Sequence, residues 1–161
     1  MTDIRIDPAT PADVPMIRTL IRELAEFEKL LHEARATDEQ LHDSLFGPNP
    51  GAEVLMARIG GEVAGFALFF HNFSTFVGQR GLYLEDLFVR PRFRGVGCGE
   101  ALLRCLAKIA LERNCGRFEW SVLDWNQRAI DFYKSLGAVP MDEWTIYRVT
   151  GEALKKLGGG A

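Results

Sequence analysis

Glycines alternate through Arg94-Gly95-Val96-Gly97-Cys98-Gly99, and a backbone this free can take positive φ and press bare N–H groups against a ligand. Ala101, Leu102, Leu103, Leu106, Ile109, Ala110 and Leu111 follow at helical spacing, so the loop opens a helix. Unpaired N–H groups and the positive end of a helix dipole together make a site for phosphate or pyrophosphate. The spacing departs from the two commonest nucleotide loops. Gly99-Glu100-Ala101 stands where a P-loop carries Gly-Lys-Ser/Thr, and a dinucleotide fingerprint counted from Gly95 or Gly97 ends on Glu100 or Leu102 instead of glycine.

The elements that must position this loop are readable around it. Leu82-Tyr83-Leu84-Glu85-Asp86-Leu87-Phe88-Val89 is apolar and aromatic enough for a central strand. Ile4-Arg5-Ile6 alternates as a short strand. Thr10, Pro11 and Asp13 form a helix start, and Val14, Ile17, Leu20, Ile21, Leu24 and Phe27 make one apolar stripe along the helix that follows. Thr37 to Gln40 is a second capping box, opening a short helix that stops at Gly47-Pro48-Asn49-Pro50-Gly51.

Residues 53–59 and 63–70 read as a hairpin around Gly60-Gly61, and 72–81 as a polar-aromatic connection. Residues 117–123 alternate as a strand, Asn126 caps a helix that ends at Gly137, and Trp144 to Val149 reads as a last strand. The order β-α-α-β-β-β-α-β-α-β implies an α+β or mixed α/β sheet with helices on both faces. A chain of 161 residues fits one domain, placed at 1–157, with a flexible tail over 158–161.

Bulk properties narrow the classes. A net charge of −3 argues against a nucleic-acid partner. Cys98, Cys105 and Cys115 are odd in number and form no CxxC pair, and His32, His42 and His71 are scattered, so neither a disulfide framework nor a metal site is expected. Neither a signal peptide nor a bilayer-length apolar run is visible. The expectation is a reduced, cytoplasmic protein without a membrane partner.

Arg94 to Gly99 satisfies Arg/Gln-x-x-Gly-x-Gly/Ala and resembles the pyrophosphate loop of the GNAT superfamily of N-acetyltransferases. The resemblance covers nearly the whole chain. Ile4-Arg5-Ile6 with Pro8-Ala9-Thr10, Tyr83-Leu84-Glu85-Asp86, Asp124-Trp125-Asn126 and Phe132-Tyr133-Lys134 are similar to stretches of the diamine (spermidine/spermine) N-acetyltransferase branch. It implies a mixed, mostly antiparallel central sheet and acetyl-CoA as the donor. The implied acceptor is a primary amine of a small molecule (a diamine, polyamine or lysine-like amino acid), and the implied assembly is a homodimer with exchange of the strand near Trp144 to Val149. A protein or peptide N-acetyltransferase and a non-catalytic acyl-CoA-binding module are the competing readings, since fold does not fix function.

Acetyl transfer needs a neutral amine, a polarised thioester carbonyl and a proton for the departing thiolate. Primary amines are protonated at neutral pH, so a base acts directly or through water, and Glu85 on the central strand is the candidate. Alternation places Asp86 on the opposite sheet face, where it is assigned to substrate binding. The resemblance further implies that the backbone of Leu87, Phe88 and Val89 pairs with pantetheine, and a bulge near Leu87 would free an N–H for the oxyanion. Arg94, Gly95, Val96, Gly97, Cys98, Gly99 and Glu100 form the implied pyrophosphate cradle.

Asn126, Arg128 and Ala129 are implied CoA neighbours, although Asn126 is equally a helix cap. Tyr133 corresponds to the family's general acid, and its packing alternative is a core tyrosine. Arg90 and Arg92 stand between a role at the adenosine phosphate and ordinary surface charge. Phe27, Glu28 and Trp144 match acceptor-side positions, where carboxylate and aromatic groups suit an alkylammonium. Phe73-Ser74-Thr75-Phe76 replaces an acidic residue of the polyamine enzymes, which favours a shorter diamine or a lysine analogue.

Overall fold

Capping chemistry starts the helices where the residue types place them. The Thr10 N–H donates to Asp13 Oδ2 at 2.8 Å and begins a short 3-10 turn, Pro11–Asp13, that runs into α1 (Val14–Phe27). Thr37 and Gln40 exchange hydrogen bonds of 3.0 and 3.1 Å at the start of α2 (Asp38–Phe46), a reciprocal arrangement that satisfies two otherwise unpaired donors.

In the computed structural model, which describes residues 3–159, five strands form one sheet in chain order: β1 (Ile4–Pro8), β2 (Glu53–Ile59), β3 (Glu62–Ser74), β4 (Gln79–Val89) and β5 (Arg117–Trp120). The first four are antiparallel and β5 runs parallel to β4. This is the mixed, mostly antiparallel sheet expected. Gly60 and Gly61, both at positive φ, make the two-residue turn between β2 and β3 that matches the twist of the strands.

The two faces are covered by different helices. Val14, Ile17, Leu20 and Leu24 of α1 and Leu41 and Leu45 of α2 pack on Val54, Met56, Phe66 and Phe88 of the sheet. The alternate strand positions, among them Leu55, Ala67, Phe69, Leu82 and Leu84, are also buried, and α3 (Cys98–Glu112) covers that face with Leu102, Leu103, Leu106 and Ala110. Each such Val, Leu, Ile, Met or Phe side chain stabilises the fold by roughly 1.5–3 kcal/mol. At the end of α3, Arg113 grips Glu53 of β2 with two bonds of 2.7 and 2.9 Å and holds that carboxyl below the usual carboxylate range.

The chain divides into two compact units, one up to Ser121 and one from Val122 on. The second unit carries α4 (Gln127–Ser135) and α5 (Gly151–Leu157). Asn126 caps α4, its Oδ1 accepting from the Ala129 N–H at 3.3 Å.

Several sequence expectations are corrected. Residues 72–81 are not a connection: β3 and β4 continue through them, with Phe73 opposite Arg80 and Ser74 opposite Gln79, so the turn is confined to residues 75–78. The strand expected over 117–123 ends at Trp120. Trp144 to Val149 forms no strand among the described residues, and α5, not among the sequence expectations, follows it. Of the expected tail 158–161, residues 160 and 161 lie outside the described residues.

Candidate active site

β4 is where the site residues gather. β5 pairs only with Gly81 to Leu84, so beyond Leu84 no described strand pairs with β4 on the side that β5 occupies. On that side the backbone of residues 85–89 lies outside any pairing between described strands, and an extended molecule can bind such an edge as an added strand. At ~3.3 Å per residue this edge is ~13 Å or more long. Leu87, Phe88 and Val89, the residues expected to meet pantetheine, all lie on it.

The register breaks at the start of this edge. Leu84 faces Phe69 and Asp86 faces Leu68, which leaves Glu85 as an extra residue in β4 with no partner in β3. The bulge was expected near Leu87, but Leu87 keeps its place opposite Ala67. Glu85 is exposed and Asp86 half-buried, yet the charges of Glu85 and of Glu28, at the end of α1, both act on Asp86. Burial first, and then those two charges, push the Asp86 carboxyl up to about 7. Burial also raises Glu28, which sits as the C-cap of α1, where the helix dipole disfavours an anion. The negative charges of Glu85 and Glu28 thus both fall on Asp86.

At the far end of the edge is the glycine loop. Gly95 and Gly97 have φ of 83° and 88°, a region that costs other residues about 1–2 kcal/mol. Gly97 is the N-cap of α3 and Cys98 its first residue. The first helical bond recorded runs from the Ala101 N–H to the Gly97 carbonyl at 2.9 Å, so the N–H groups of Cys98, Gly99 and Glu100 fall in the turn whose donors a helix leaves unpaired. The Glu100 carboxylate bonds Arg104 at 3.0 Å, so only its backbone is offered to an anion. A Cβ built on Gly95 or Gly97 meets no protein atom within 4 Å. The loop has the geometry of an anion cradle, and its residues fit the pyrophosphate of the donor implied by the sequence. Buried Cys98 has its thiol pushed up by burial and offers no thiolate there.

Arg94, expected at the pyrophosphate, also holds groups of the protein itself. Its Nε donates to the Val89 carbonyl at 2.8 Å, and its guanidinium lies over the rings of Phe27 and Phe88 at 5.1 and 5.6 Å. The side chain thus ties the loop to Phe27, an acceptor-side candidate. Arg90 is neither surface charge nor aimed at the loop. It bonds Glu23 of α1 twice at 3.0 Å and the Val63 carbonyl at 3.3 Å. The sequence signal for this clamp was its position two residues after Phe88, on the face that α1 covers. Breaking a partly buried pair strands one charge. Arg90→Ala is expected to cost about 2 kcal/mol in urea denaturation, and Glu23→Gln added to it to cost little more.

In the second unit, Asn126 and Ala129 are half-buried and Arg128 is exposed at the start of α4. Tyr133 is half-buried on the same helix, its ring 5.8 Å from that of Phe132 and tilted by 46°. Trp144 is exposed in the irregular segment before α5.

Known proteins share both the pattern and the fold. The model of the Acetyltransferase (GNAT) family matches residues 17–138. The thialysine N-epsilon-acetyltransferase of Mus musculus is 40% identical over 99% of each chain. The L-ornithine N5-acetyltransferase NATA1 of Arabidopsis thaliana is 34% identical over 95% of this chain and 87% of its own. Among solved structures, an integron cassette protein from the mobile metagenome of V. cholerae superposes with a TM-score of 0.81 at 31% identity, covering 96% of this chain and 97% of that one.

Proposed function

The chain belongs to the acetyltransferase (GNAT) family and is an N-acetyltransferase that takes its acetyl group from acetyl-CoA; on that premise we propose that its acceptor is the side-chain amine of a small basic amino acid such as thialysine or ornithine. The observation that carries this reading is the open edge of β4, with an anion cradle at one end and the Glu28, Glu85 and Asp86 carboxylates at the other. In this reading the pyrophosphate of the donor lies at one end of one short backbone segment, and its thioester meets the acceptor ammonium at the other. The full-length likeness to enzymes named for thialysine and ornithine supports an amino-acid acceptor.

The roles follow from the chemistry. The pantetheine arm lies along residues 87–89, and backbone N–H groups of this edge hold the thioester oxygen as it gains charge. One of the neighbouring carboxylates Glu85 and Asp86 accepts the ammonium proton, the freed nitrogen attacks the carbonyl carbon, and the C–S bond breaks. Tyr133 supplies the proton to the thiolate. Initial rates at fixed acetyl-CoA test the acceptor. Thialysine and ornithine are expected to give kcat/KM at least tenfold above spermidine and above a peptide with a free N-terminus. Spermidine or the peptide in first place would contradict the assignment.

The protein is further read as a cytoplasmic homodimer. Its three cysteines are free thiols, the state kept by a reducing compartment. No helix among the described residues is long and apolar enough to cross a membrane. Trp144, Ile146 and Tyr147 are 74%, 79% and 92% exposed in a segment that alternates like a strand. Apolar surface of this kind is covered by a partner, and a second copy that exchanges this segment supplies one. Ile146→Lys is expected to convert the dimer to a monomer in light scattering after size exclusion. A native chain that runs as a monomer at micromolar concentration would remove this reading.

A further inference from the structure

We infer that Asp86, and not Glu85, takes the proton from the acceptor ammonium, while Glu85 and Glu28 form the anionic wall that draws the ammonium to it; the inference rests on the acetyl-transfer reading above. The geometry separates the two neighbours. The bulge sets Glu85 outside the ladder and leaves it exposed, whereas Asp86 stays in register opposite Leu68. Two residues from Phe88 and beside the row that includes Phe66, both buried in the cluster under α1, Asp86 is desolvated by the face that α1 covers.

The charged groups around it are accounted for element by element. From β4 itself comes Glu85, and from the end of α1 comes Glu28, both acidic and both acting on Asp86. The cations of this region are engaged elsewhere: Arg90 with Glu23 of α1, Arg94 with the Val89 carbonyl and the rings of Phe27 and Phe88. The Tyr83 hydroxyl is bonded to Ser121 Oγ at 2.7 Å. The facing β3 residues Phe66, Leu68 and Phe70 bring no titratable group.

The chemistry then favours Asp86. A proton leaving an ammonium of pKa ~10.4 for an ordinary glutamate of ~4.3 goes against roughly a millionfold. Toward a carboxyl poised at about 7 the disadvantage is roughly a thousandfold. In the step, an N–H bond of the ammonium breaks and an O–H bond forms on Asp86. The nitrogen lone pair attacks the carbonyl carbon, and the C–S electrons leave on sulfur. Tyr133 protonates the thiolate and recovers its proton from the acetylated nitrogen. Asp86 then returns its own proton to water.

The test is kcat/KM for thialysine between pH 5.5 and 9, below the titration of the amine itself, with acetyl-CoA binding followed by calorimetry. Wild type is expected to rise with pH through an apparent pKa near 7, since protonated Asp86 cannot accept. Asp86→Asn is expected to lose ~100-fold or more together with that rise, and Asp86→Glu to recover part of the rate with the rise displaced. Glu85→Gln is expected to lose a few-fold, mainly through KM, and to keep the rise. Loss of the rise in Glu85→Gln, or its survival in Asp86→Asn at a rate within a few-fold of wild type, overturns the inference.

Melting temperatures show that the variant is folded. A carboxyl raised by folding costs stability as pH climbs toward its folded pKa, so Asp86→Asn should melt at or above wild type at pH 8, with the difference shrinking toward pH 4.5. A variant melting well below wild type at pH 8 contradicts the desolvated setting on which the inference stands. Wild type that binds acetyl-CoA but acetylates no amine overturns the acetyl-transfer reading itself, an outcome distinct from any variant pattern.

Discussion

Replacing Tyr133 by phenylalanine is expected to lower kcat by two to three orders of magnitude while leaving acetyl-CoA affinity within experimental scatter. The substitution removes one oxygen and keeps the ring that lies against Phe132 on α4. A phenol of pKa ~10 can protonate a thiolate of ~8.5 at little cost, and general acids of this kind contribute ~10²- to 10⁴-fold. The thiolate is already a fair leaving group, which sets the expectation in the lower part of that range. Steady-state rates with thialysine, beside calorimetry of acetyl-CoA, separate the two roles open to this residue. A purely packing tyrosine would show unchanged turnover, because phenylalanine keeps the packed ring.

Gly97→Val is expected to weaken acetyl-CoA binding by more than ~100-fold, and Gly99→Ala by no more than a few-fold. Gly97 holds a φ of 88° as the N-cap of α3, a conformation that is a genuine outlier for a β-branched residue. Its Cβ direction opens onto space with no protein atom within 4 Å, so the valine methyls would project where the cradle receives its anion. Gly99 lies inside the helix, and a Cβ there makes only an ordinary contact of 3.8 Å with Val89. Calorimetric titration with acetyl-CoA reads both. Equal losses at the two positions would mean that φ at residue 97 does not shape the cradle.

Features of the site differ in how far the sequence could show them. The glycine loop was legible because its function lies in backbone conformation, and residues that permit positive φ are few. The helix stripes and the Gly60-Gly61 turn were legible for the same local reason. The bulge at Glu85 was not, because Leu84-Glu85-Asp86-Leu87 fits a two-residue period read from either end, and only pairing with β3 shows which residue is extra. The extension of β3 and β4 through Phe73 and Arg80 was hidden for a related reason. Gly78 and the polar residues around it signal a turn, but how far two strands pair past a turn depends on the partner. Trp144 to Val149 carries a strand pattern and forms no strand among the described residues, since a pattern specifies a face and not the neighbour to which it bonds. Arg94 and Arg90 show the limit for long side chains: their positions were clear, but the groups they grip come from α1 and from the carbonyls of Val63 and Val89.

Thiol release from acetyl-CoA, followed on adding thialysine with mass analysis of the product, is the measurement that bears most directly on the account. The predicted result is amine-dependent release of one CoA thiol for each acetyl group found on the side-chain nitrogen, slowed in parallel by Asp86→Asn and Tyr133→Phe. Tight acetyl-CoA binding without amine-dependent thiol release from thialysine, ornithine or any short diamine would contradict it.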